Sequence, residues 1–178
     1  MADLVSKRYA YALFEAGLEL NKLKEFKEDF SSVTLVFLKE TGLRKVLLHP
    51  KVSRDEKKEL LKNIFYGRIS EEVLNFLYVL VDKRRENAIE RINKEFLKLF
   101  NEHENIIEVT AVTSVLMDDN IKNKLRITLE NKLNKRVQLK NVVDRSIIGG
   151  VLLSIGNKVI DGTVKGKLKE MEKSIKGA

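Results

Sequence analysis

The chain has 178 residues, 43% hydrophobic and 34% charged, enough for one large domain or two small ones. It lacks cysteine, which excludes a disulfide framework and any thiolate metal site. Its net charge of +8 is uneven: residues up to Ile106 carry 20 Lys+Arg against 18 Asp+Glu, and the remainder carries 14 against 8.

All the aromatic residues, 8 Phe and 4 Tyr, lie at or before Phe100. Such a break in composition predicts two separately packed units, residues 1–105 and residues 106–178, with the junction near Glu102–Ile106. The opening residues lack the apolar run of a secretory signal. The most apolar stretch, Val73 to Val81, is about half the roughly 18 residues of a membrane span. The expectation is a soluble protein that reaches any membrane through a partner.

In chain order, Val5, Tyr9, Ala12, Leu13, Ala16 and Leu20 share one face at helical spacing, with Gly17 as a weak point. A second helix is predicted through Leu23, Phe26, Phe30, Val33, Phe37 and Leu38, with Gly42 as its C-terminal cap. Leu43 to Leu48 is a short apolar helix closed by His49-Pro50, because the residue before proline is driven out of the α region. Ser53-Arg54-Asp55-Glu56 is a capping box that opens a helix carrying Leu60, Leu61, Ile64 and Phe65 and ending by Gly67. Ser70-Glu71-Glu72 starts a fifth helix, its acids suited to the positive end of the dipole. A sixth runs from about Ala88 through Ile92, Phe96 and Phe100. Six helices with short connections predict a bundle.

The period then changes. Ile107, Val109, Ala111, Thr113 and Val115 alternate with Glu108, Thr110, Val112 and Ser114, which predicts a strand. Asp118-Asp119-Asn120 caps a helix bearing Ile121, Leu125, Leu129 and Leu133. Val137, Leu139 and Val142-Val143 read as a second strand. Gly149 to Ile155 and Lys158 to Val164 flank Gly156-Asn157, a pair suited to a primed hairpin turn. Val164, Leu168, Met171 and Ile175 form a stripe on a terminal helix, expected to pack on the sheet of its own unit. The fold class expected is mainly α, with a six-helix N-terminal bundle and a small α+β C-terminal part containing a β-hairpin.

The chemistry-bearing residues are poor in patterns. His49 and His103 stand apart from each other and belong to no metal-ligand spacing, so solvated surface histidine is the reading and no metal is expected. There is no nucleophile elbow, Walker loop or dinucleotide fingerprint, so neither catalytic nor cofactor-binding residues are assigned. The basic C-terminal part offers Lys and Arg for phosphate contacts but contains no aromatic residue on which bases could stack. A basic nucleic-acid-binding or adaptor protein is therefore the alternative reading. The informative segment is Val73 to Val81, in which only Asn75 is polar. A helix this apolar turns one face into the bundle, and its other face is covered either by neighbouring helices or by an amphipathic partner helix seated in a groove beside Val79.

Two segments carry a family resemblance. Arg8-Tyr9-Ala10-Tyr11-Ala12-Leu13-Phe14 resembles the RYAxALF opening of the ATP synthase delta (oligomycin-sensitivity-conferring) subunits. Ile148 to Leu168, containing Gly149-Gly150-Val151 and Val159-Ile160-Asp161-Gly162-Thr163-Val164-Lys165-Gly166, resembles the family's tail signature, with Thr163 where serine, Lys165 where arginine and Asn157 where aspartate is usual. Pro50 after its short helix and Asn75 to Arg85 on the apolar helix also fit. The resemblance implies a non-catalytic stator subunit in the peripheral stalk of a proton-translocating rotary ATP synthase, at the cytoplasmic face of a bacterial energy-coupling membrane. It further implies that the first domain holds the N-terminal helix of an alpha subunit between its first and fifth helices. The second domain would meet the C-terminal end of the b-subunit stalk. On that implication the alpha-binding residues are Tyr9 and Ala12 of the first helix with Asn75, Val79 and Lys83 along one edge of the fifth.

Overall fold

Leu23, Phe26, Phe30, Val33 and Phe37 recur at helical spacing, and all five are buried in a computed structural model of the chain. The structure describes residues 2–156 and 158–176. It divides into two compact units, Met1–Phe100 and Asn101–Ala178.

The first unit is built of α1 (Ala2–Glu19), α2 (Leu23–Lys39), α3 (Thr41–Leu48), α4 (Arg54–Phe65), α5 (Glu71–Asp82) and the greater part of α6 (Ile89–His103). Several boundaries follow from local chemistry. Ser53 Oγ accepts the Glu56 amide while Glu56 accepts the Ser53 amide, so the capping box that opens α4 is formed on both sides. His49, before Pro50, is extended and closes α3. Gly67, at φ +72, turns the chain out of α4. Gly42 departs from its expected role as a cap: α2 already stops at Lys39, Glu40 bridges, and Gly42 lies within α3.

Gly17 is more than a weak point. A Cβ there would lie 3.0 Å from Leu23 Cδ1 and 3.2 Å from Phe26 Cδ2, so its bare backbone lets α1 and α2 cross closely. The start of α5 is also held from a distance, since Asp29 on α2 accepts both the amide (2.8 Å) and the hydroxyl (2.7 Å) of Ser70. The aromatic side chains form a chain of edge-on contacts through the bundle, Tyr9 to Phe76, Phe76 to Phe30 and Phe30 to Phe96.

The second unit contains β1 (Ile106–Thr113), α7 (Asp119–Leu133), β2 (Arg136–Val143), β3 (Gly150–Ile155), β4 (Lys158–Thr163) and α8 (Val164–Lys176). Its mixed sheet has the order β2-β1-β3-β4, with β1 and β2 parallel and the other pairs antiparallel. A parallel pair needs a crossover, and α7 supplies it. Leu129 of α7 packs with Val109, Ala111, Val137 and Leu153 to make the core. Asp118 caps α7 by accepting the Asn120 amide. β1 ends at Thr113, short of Val115, which is exposed. Asn141 fixes this early ending: its Nδ2 donates to Ala111 O and Thr113 Oγ1, and its Oδ1 accepts the Met117 amide, so the chain turns toward α7. Of the expected hairpin turn, Gly156 is left-handed at φ +56 and Ile155 pairs with Lys158, while Asn157 lies outside the described residues. The six-helix part and the α+β part thus have the architecture expected from the periodicities.

Candidate docking surfaces

Most of the apolar surface of α5 is hidden within the first unit. Val73, Leu74, Leu77, Leu80 and Val81 are buried, and Phe76 and Tyr78 are half-buried. Val79 is the exception, with 45% of its surface exposed. Asn75, Val79 and Lys83 follow one another at intervals of four, and all three are exposed on one edge of the helix, Lys83 being its C-terminal cap.

On α1, Ala12 is exposed and Tyr9 half-buried. The Tyr9 ring meets Phe76 at 6.3 Å between centroids, and this contact joins α1 to α5. Phe76 also stands edge-on to the buried Phe30 at 5.5 Å, which fixes its ring. Sequence reasoning placed Phe76 in the apolar run but did not single it out, because helical spacing alone does not say which apolar residue stops half-way to the surface. Asn75 has a second neighbourhood: with Lys58, Lys62, Tyr66, Leu74 and Tyr78 it lines a hollow of about 570 Å³ between α4 and α5. Of the three residues on that edge, Asn75 is therefore the one shared with α4.

The second unit presents a different surface. The stripe on α8 does not pack on its own sheet as expected. Val164 is 46%, Leu168 59% and Met171 61% exposed, and the Ile175 side chain lies outside the described residues. The helix that covers the core of the sheet is α7, through Leu129, and α8 takes no part in that core among the described residues. Val159 and Ile160 on β4 are also exposed, so helix and edge strand both show apolar side chains.

The residues from Gly149 to Gly166 fix how α8 leaves the sheet. Gly149 O accepts the Val164 amide, and Thr163 Oγ1 accepts the Gly166 amide. Asp161 accepts the Thr163 amide at 2.9 Å. A Cβ at Gly166 would lie 2.6 Å from Asp161 Oδ2, so a side chain there would displace the Asp161 carboxyl from its place at the start of α8. Hydrogen bonds from the Thr163 side chain and then its amide hold the Asp161 carboxyl below the ordinary carboxylate range, aided by Lys169. A depressed folded-state pKa contributes stability above the unfolded value near 3.8, and that stability is lost as pH falls through the folded value. The helical NMR shifts of α8 are therefore expected to weaken on acidification below about pH 4, with a step absent from Asp161→Asn. Identical acid profiles for the two proteins would remove Asp161 from this role.

No described helix is long and apolar enough to cross a membrane.

A family model described as the ATP synthase delta (OSCP) subunit matches residues 5–175. The chain is similar to ATP synthase subunit delta of Alkaliphilus metalliredigens, 41% identical over 172 residues that cover 97% of this chain and 96% of the relative. It resembles the subunit delta of Clostridioides difficile at 40% identity over 176 residues, covering 98% and 97% of the two chains. Among solved structures, a chain of the Toxoplasma gondii mitochondrial ATP synthase hexamer shares the fold at a TM-score of 0.74, with 22% identity and 96% of each chain covered.

Proposed function

The chain belongs to the ATP synthase delta (OSCP) subunit family, and from that membership we propose that it clamps the catalytic head of the enzyme to its static stalk. It is a non-catalytic component of the peripheral stalk of F-type ATP synthase, the complex that couples proton transport to ATP synthesis. The nucleic-acid alternative is not needed to account for the chain.

The finer reading assigns residues 1–105 to the head and residues 106–178 to the stalk. In the first, the N-terminal helix of an alpha subunit lies along α1 and α5 against Tyr9, Ala12, Asn75, Val79 and Lys83. In the second, the C-terminal end of the b subunit lies on the exposed apolar side chains of α8, so that the protein stays at the cytoplasmic face of the membrane through its partners. Such a clamp transmits counter-torque, which calls for slow dissociation. A helix in a groove burying on the order of 1,600 Å² in total reaches the standard size of a stable interface, with its affinity concentrated in a few anchors. The observation that carries the reading is Val79, nearly half exposed on a helix whose other aliphatic residues are buried, one helical turn from the Phe76 that meets Tyr9.

Isothermal titration of the full chain with a peptide of the alpha N-terminus, and separately with the C-terminal segment of b, tests both contacts. Both are expected to bind. Leu168→Glu is expected to weaken b binding at least tenfold, on the order of 1.4 kcal/mol or more, while leaving alpha binding unchanged. Equal loss for both partners, or none for b, would contradict the division of labour.

A further inference from the structure

A cavity of about 300 Å³ lies in the first unit between the start of α4 and the segment after α5, lined by Lys51, Arg54, Lys57, Arg84, Glu86 and Asn87 among others. Its lining includes none of Tyr9, Ala12, Asn75, Val79 and Lys83, and it is strongly basic: four cations against one carboxylate. That carboxylate is already engaged, because Glu86 Oε1 accepts from Lys57 Nζ at 2.8 Å. Lys57 and Glu86 are only 7% and 5% exposed. A buried ion pair is seldom more stabilising than apolar side chains of the same volume, so stability alone is a weak reason for a charged pair here. An ammonium has three donors, and the partner found for that of Lys57 among the described residues is Glu86, which takes one of them. Among the described residues Lys51, Arg54 and Arg84 form no ion pair. The net result is a concave site with three uncommitted cations at its rim and a buried, oriented ammonium in its wall. The volume is about ten times the roughly 30 Å³ of one liquid water, enough for a hydrated tetrahedral anion.

We propose that this cavity binds a phosphate group. The guanidinium forks of Arg54 and Arg84 match the oxygens of a phosphate, and Lys57 and Lys51 add point charges. Asn87 offers an amide donor. The group could come from free phosphate or from a nucleotide, and the chemistry of recognition is the same.

Amide NMR of the full chain, titrated with inorganic phosphate at constant ionic strength near neutral pH, tests the site. Saturable shifts are expected at residues 51–54 and 84–87. Arg54→Ser and Arg84→Asn are each expected to weaken binding about tenfold, the effect of one lost charge-assisted hydrogen bond. Asparagine is chosen because residue 84 has φ +51, a left-handed conformation that asparagine tolerates. ADP titrated in parallel identifies the source: tighter binding than phosphate assigns a nucleotide, and equal binding assigns the free ion. Shifts that remain linear and are matched by chloride overturn the proposal, as does undiminished phosphate affinity in both variants.

Discussion

Replacing Gly150 by alanine is expected to unfold much of the second unit. The residue sits at φ +87, which L side chains rarely adopt, and an added Cβ would lie 2.4 Å from Gly162 O and 2.8 Å from Thr163 Cα. Both obstacles are backbone, so no side chain can rotate out of the way. Left-handed strain of about 1–2 kcal/mol and overpacking of about 1–3 kcal/mol put the loss at roughly 3 kcal/mol or more. A unit of this size, without a disulfide, has little stability to spare. β3 would separate from β4, and α8 would lose its anchor, since Gly149 O holds the Val164 amide. The measurement is amide dispersion of β1 to β4 by NMR, together with the urea midpoint. Gly42→Ala is the control: nothing lies within 4 Å of a Cβ there, and alanine in α3 is expected to be neutral or slightly stabilising. A Gly150→Ala protein with the dispersion and midpoint of the parent would show that the hairpin yields at this point.

The contrast between these glycines marks what a sequence can disclose. Gly150 and Gly162 are legible as part of a signature, but their reason is a contact across the sheet, visible only once β3 and β4 are paired. Gly17 reads locally as a poor helix former, whereas its function is to admit Leu23 and Phe26 from the next helix. Helix starts were legible because their chemistry is local, as in the Ser53–Glu56 box. The parallel pairing of β1 with β2 was not, because alternation tells a strand from a helix but not its neighbour. Lys57 and Glu86 look like surface charges on their own segments, and only tertiary packing makes them a buried pair. The stripe on α8 had the right helical spacing, but spacing does not say which helix covers the core, and here it is α7, through Leu129. At the α1–α5 edge, Tyr9, Ala12, Asn75, Val79 and Lys83 could be placed on helix faces from spacing. Phe76 could not be singled out, since its importance comes from contacts with Tyr9 and Phe30 on two other helices.

Val79→Asp is expected to separate docking from folding. With 45% of the side chain in water, an aspartate at this position keeps its hydration in the isolated subunit and leaves the buried Leu77, Leu80 and Val81 in place. Its melting temperature should therefore stay close to that of the parent protein. Once an alpha-subunit helix covers the position, the carboxylate loses water and gains no assigned cation except Lys83, one turn further along the edge. Burying it there should lower affinity at least a hundredfold, on the order of 3 kcal/mol, as loss of a central anchor does. Phe76→Ala is the less informative variant, because its ring also contacts Phe30 and its removal would weaken the bundle as well. Lys83→Ser, at the end of the helix, should change affinity by much less, about the 0–1 kcal/mol of an exposed charge. Equal affinity of Val79→Asp and the parent for the alpha peptide would place the partner elsewhere on the bundle. A large drop in melting temperature would mean instead that this edge of α5 belongs to the subunit's own packing.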